Sequence, residues 1–115
     1  PELLPLAEEV KSDWSNVGVT TDIRVVASQP SQFQAFLGME TIPADPDQYY
    51  MWHSTQDTNI TGLQSPRIDK LLEDGRQTID TEERRQIYID FQRFLVEEIP
   101  AVFLYHPQSF KIKRV

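Results

Sequence analysis

The apolar positions of this chain change their spacing several times, and each change marks an element. Leu3, Leu6, Val10 and Trp14 recur at steps of three and four, the spacing of one helical face, with Glu8, Glu9, Lys11 and Asp13 off it. Gly18 stands where a helix end favours a residue free to take positive φ. From there the period becomes two. Val19, Thr21, Ile23 and Val25 alternate with Thr20, Asp22 and Arg24, the pattern of a half-buried strand. Val26 breaks the alternation and implies burial on both faces near the strand's end. After the loop Ser28-Gln29-Pro30-Ser31, Gln34 to Leu37 reads as a short buried strand. Helix is the rival reading there, because so short a run does not fix a period.

Two prolines forbid a regular element across Pro43-Ala44-Asp45-Pro46-Asp47. Asp45 is the expected N-cap, and Pro46 the first residue, of a short aromatic helix over Gln48 to His53. Ser54 to Ser65 is polar and Thr-rich, a surface loop. Ser65-Pro66 repeats the cap-then-proline start, and Ile68, Leu71 and Leu72 give the helix that follows its buried face. Asp80 with Glu83 three residues later forms a capping box. In the helix it opens, Ile87, Phe91, Phe94 and Leu95 line one face; Glu82, Glu83, Arg84, Arg85 and Asp90 line the other. That helix stops before Pro100. Ala101 to Tyr105 reads as an apolar strand and Phe110 to Lys113 as an alternating one. The expected order is α-β-β-α-α-α-β-β, a mixed α/β (α+β) layer.

Composition narrows the function. The 115 residues amount to one domain, and no apolar run approaches the roughly 20 residues of a membrane helix. The chain starts at Pro1 inside a helical pattern and ends in an expected strand, so it is expected to be a piece of a longer protein. A net charge of −7 repels phosphate, and Lys111, Lys113 and Arg114 make too short a basic cluster to reverse that; no nucleic-acid partner is expected. With no Cys there is neither a disulfide framework nor a thiolate site. No Gly-x-Ser-x-Gly turn or glycine-rich phosphate loop is present.

Three groupings could carry chemistry. Asp45, Asp47 and His53 bring two carboxylates and an imidazole into local reach, a set that a metal-dependent hydrolase could use. The competing account makes Asp45 a cap and Asp47 a favourable first-turn charge. Tyr49, Tyr50, Met51 and Trp52 form the densest aromatic patch, suited to a ligand cleft, to a protein interface or to plain core packing. Asn59-Ile60-Thr61 matches a glycosylation acceptor.

An ordered series joins these pieces. Gly38-Met39-Glu40, Asp45-Pro46-Asp47-Gln48-Tyr49, Trp52-His53-Ser54, Asn59-Ile60-Thr61-Gly62 and Ser65 to Glu73 come first. Asp80 to Tyr88 and Ile99 to Pro107 complete it. Over roughly residues 17–110 this series resembles the peptide/nickel-binding family of extracellular solute-binding proteins, the receptors of oligopeptide and dipeptide ABC importers. The resemblance implies a lobe of a type II periplasmic-binding-protein-like fold, with residues 1–115 as a single partial domain of the C-terminal lobe. It implies a receptor, not an enzyme, with no cofactor and no metal. Its partners would be a peptide or other small solute and the membrane permease subunits. Its location would be periplasmic or extracellular, free or held as a lipoprotein in the full-length protein. A lobe segment on its own is also expected to dimerise through the surface its neighbours would cover.

The resemblance further implies ligand-facing residues: Gly38, Met39, Glu40, Asp45, Tyr49 and Trp52. Met39 and Trp52 would form apolar walls, Glu40 and Asp45 polar anchors. In the family a Gly-Trp pair precedes the Asp that captures the ligand's α-amine. Here Met39 stands at the Trp position and Ile42 at the Asp position. A sugar, an opine or a longer peptide held by the other lobe therefore stays open beside a short peptide.

Overall fold

The computed structural model describes residues 2–113. Four helices occur in it: α1 (Leu4–Asn16), α2 (Tyr49–Trp52), α3 (Pro66–Gln77) and α4 (Thr81–Glu98). The chain divides into two units, residues 1–41 and 42–115.

In the first unit, α1 follows the three-and-four spacing. None of its residues is fully buried. It closes as the sequence predicts: Gly18 takes φ +87, its N–H bonds the Ser15 carbonyl at 3.0 Å, and the Val19 N–H bonds Trp14 at 2.8 Å. Those two bonds satisfy carbonyls that a helix end leaves open.

In the second unit, α3 and α4 form an antiparallel hairpin across Thr78-Ile79-Asp80, and the short α2 packs on α3. Trp52, Ile68, Leu72, Tyr88, Phe91 and Leu95 make the core. The expected capping interaction forms, with Asp80 Oδ1 accepting the Glu83 N–H at 2.8 Å. Arg67 at the start of α3 reaches Glu97 and Glu98 at the end of α4 and lies 3.7 Å over the Phe94 ring. The hairpin is thereby pinned at its open end. Ile99 ends α4 in the left-handed region, at φ 49, just ahead of Pro100. A β-branched residue is seldom found there.

The expected α/β order is corrected. Among the described residues the chain is helical and contains no strand at 19–26, 34–37, 101–105 or 110–113. A period of two says only that alternate side chains are apolar. A strand also needs a neighbour whose backbone answers its N–H and C=O groups, and apart from the Val19 N–H on Trp14 no backbone bond among the described residues joins these stretches to another segment. Most of their apolar side chains lie open instead: Val102, Phe103, Phe110 and Ile112 are all exposed.

Candidate functional site

The second unit gathers its polar groups around the loops on either side of α2. Asp45 Oδ1 accepts the Asp47 N–H at 2.9 Å, and the Arg84 fork meets both oxygens of Asp45, at 2.7 and 3.1 Å. Arg84 Nε also donates to the Gly75 carbonyl at 2.8 Å, one of the last carbonyls of α3 and without an intrahelical partner. One guanidinium therefore joins the loop, the end of α3 and the start of α4.

Asp47 repeats the arrangement from the other helix. Its Oδ1 accepts the Tyr49 N–H at 3.0 Å and its Oδ2 accepts Arg76 Nε at 2.8 Å. The Arg76 guanidinium lies 4.0 Å from the Tyr49 ring centre, and Tyr49 stacks on His53 at 4.1 Å. The expected cap role of Asp45 is thus not realised. Helix α2 starts at Tyr49 after Gln48, and Asp47 supplies the carboxylate at its start.

Both carboxyls are held below the usual carboxylate range. The Arg84 hydrogen bond does most for Asp45, with the Asp47 N–H adding to it. Partial burial alone would push Asp47 up, but the Arg76 and Tyr49 hydrogen bonds outweigh it. Arg84 is held charged more firmly than a free arginine, chiefly through Asp45.

Beyond α2, His53 is buried. Its Nδ1 accepts the Thr55 N–H at 3.2 Å and faces Thr55 Oγ1 at 2.9 Å, so Nε2 carries the proton and donates to Glu73 Oε1 at 3.2 Å. Ser54 donates its N–H to Asp69 Oδ1 at 2.8 Å and its hydroxyl to Asp69 Oδ2. Asp69 and Glu73 lie four residues apart on α3, so one helical face receives both His53 and Ser54. The Asn59 amide donates to the carbonyls of Trp52 and Leu63, at 3.3 and 2.9 Å. Thr61 Oγ1 in turn bonds Asn59 Oδ1 at 2.8 Å, and Gly62 turns the chain at φ +67. The nitrogen that a glycan would need on Asn59 is committed to these carbonyls.

The six expected ligand-facing residues fall in both units. Gly38, Met39 and Glu40 belong to residues 1–41. A Cβ on Gly38 would stand 2.8 Å from the Phe36 ring, and Met39 is 62% exposed. Asp45, Tyr49 and Trp52 belong to residues 42–115. Asp45 is engaged by Arg84 and Tyr49 lies against Arg76 and His53. Trp52 is 4% exposed, in the core, with Phe103 edge-on at 6.0 Å. The aromatic patch is accordingly half inside the fold rather than a free interface.

The metal-hydrolase grouping is not assembled. Arginines occupy Asp45 and Asp47, while His53 turns to Thr55 and Glu73; among the described residues no three His, Cys, Asp or Glu side chains could hold a metal ion. Arg76 escaped the sequence reading altogether. Arg84 was placed only on the polar face of its helix, although its position four residues after Asp80 belongs to the ordered series that carries the resemblance. Among the described residues, no helix is long and apolar enough to cross a membrane.

No protein-family profile matches the chain, and no solved structure matches it. Two curated proteins of Pseudomonas aeruginosa (strain UCBPP-PA14) do. The chain is 25% identical to the probable di/tripeptide-binding protein 5, over 94% of its own length and 23% of that protein's. It is 23% identical to di/tripeptide-binding protein 1, over 99% of its own length and 24% of that protein's. The chain thus spans about a quarter of the length of the curated relatives it matches.

Proposed function

We propose that this chain is a segment of the ligand-binding lobe of an ABC importer's solute receptor, taking oligopeptides or a related small solute. The observation that carries the reading is the alignment of almost the whole chain with two proteins named for di/tripeptide binding. The geometry supports it in one respect. The residues of the ordered series bond to one another, Asp45 to Arg84, Ser54 to Asp69 and His53 to Glu73, as expected of residues that build a scaffold. In this reading the proposed ligand-facing positions are Gly38, Met39 and Glu40 in the first unit and, separately, Asp45 and Tyr49 in the second, where the buried Trp52 backs Tyr49 from the core. Permease subunits are the membrane partners, and the location is periplasmic or extracellular.

Thermal-shift screening of the whole receptor against pools of dipeptides, tripeptides, sugars and opines tests this. Stabilisation by a peptide pool supports the reading, and no shift with any pool sinks it. The isolated chain is expected to self-associate through exposed positions such as Val102, Phe103 and Phe110. Light scattering that detects monomer alone would refute that part.

A further inference from the structure

Residues 42–48 have no regular structure, and among the described residues no backbone hydrogen bond joins residues 42–47 to another segment. Within the second unit, the polar bonds from this loop to the long helices are those of Arg84 to Asp45 and Arg76 to Asp47. The two carboxylates are two positions apart, and their arginines come from different helices. A single tether would leave the loop free to rotate about it; two from separate helices fix its twist as well as its place. Each arginine is itself held, Arg84 by the Gly75 carbonyl and Arg76 against the Tyr49 ring. The fork geometry of arginine makes this fixation directional in a way a lysine ammonium does not.

We infer that Arg84 and Arg76 are positioning residues for solute binding: they set the loop 42–48, and with it Asp45 and Tyr49, in the geometry that receives ligand. This rests on the receptor reading above. A loop ordered before ligand arrives does not have to be ordered by it, so releasing the tether weakens affinity without removing any contact to solute.

The test uses the whole receptor, pools of dipeptides and tripeptides as probe, and two readouts: affinity by titration calorimetry, and amide hydrogen exchange along the chain. Arg84→Ala is expected to weaken peptide affinity on the order of tenfold and to speed exchange at the Asp47 and Tyr49 amides, which bond the loop's carboxylates, while core residues such as Leu72 keep their protection. Arg84→Lys, which keeps the charge but not the fork, should fall between. If the wild type binds and Arg84→Ala binds equally well, the inference is overturned. If the wild type binds no pool, the receptor reading fails and the role in solute binding falls with it; exchange then reports the tether alone, which faster exchange confined to the loop amides supports and no change or a uniform change overturns. Should Arg84→Ala not fold, Arg76→Ala releases the other tether of the same loop and is judged by the same outcomes.

Discussion

Gly75 of α3 and Tyr88 of α4 approach so closely that a Cβ on the glycine would stand 2.8 Å from both Cζ and the hydroxyl oxygen of the tyrosine. A glycine inside a helix costs about 1 kcal/mol relative to alanine. Here that cost allows the ring of Tyr88 to lie on the α3 backbone. Gly75→Ala should therefore destabilise, because overpacking of about 1–3 kcal/mol exceeds the gain in propensity. Among the described residues no partner meets the buried Tyr88 hydroxyl in good hydrogen-bond geometry. Tyr88→Phe should accordingly be neutral or stabilising, by up to about 1 kcal/mol. Urea unfolding of the two variants checks both signs, and a Gly75→Ala variant more stable than wild type would contradict the contact.

The arginine-held carboxyls predict a dependence on acid. Folding lowers the pKa of Asp45 and of Asp47. Their contribution is then complete above the unfolded value, near 4, and is lost as the pH falls through the folded values. Melting temperatures followed from pH 7 into the acid range should fall more steeply for the wild type than for the Asp45→Asn, Asp47→Asn double variant. Because Asp45 is largely exposed, salt should shrink the difference. Parallel curves would show that the pairs contribute nothing to stability.

Asp80 answers the Glu83 N–H, one of the donors that a helix start leaves without an intrahelical partner. Asp80→Ala is expected to cost about 1 kcal/mol, seen as a loss of about 4–8 °C in melting temperature. Asp80→Asn, which keeps an acceptor oxygen, should lose much less.

At Asn59 the donor matters rather than the shape. Its amide serves three carbonyls, those of Trp52, His53 and Leu63. Asn59→Asp keeps the outline but cannot donate, so it should destabilise as much as Asn59→Ala, by about 1–2 kcal/mol. An aspartate variant as stable as the wild type would show that these bonds do not hold the loop.

The sequence was most legible where structure depends on near neighbours. Ser65-Pro66, the Asp80 cap and the Leu3–Leu6–Val10 spacing each act within a turn or two, and α1, α3 and α4 appear where those signals place them. Asp45 was misjudged because a free carboxylate ahead of a helix has an obvious local use. Arg84, 39 positions away, claims it instead, and no local pattern announces so distant a partner. The four expected strands failed for the same reason in reverse. Val19 to Val25 and Phe110 to Lys113 alternate as strands do, but pairing is a property of two segments, and only one was in view. Of the candidate site, the sequence located the segments; it did not disclose that arginines hold their carboxylates.

The first 41 residues contain one well-formed helix, yet none of their described residues is buried. Heat absorbed on unfolding scales with the structure that melts cooperatively, at about 0.7 kcal/mol per residue near 60 °C. A calorimeter should therefore weigh this chain as a smaller protein than its mass indicates. The transition should carry no more than about 50 kcal/mol, the share of residues 42–115, instead of the roughly 80 kcal/mol of a fully cooperative chain.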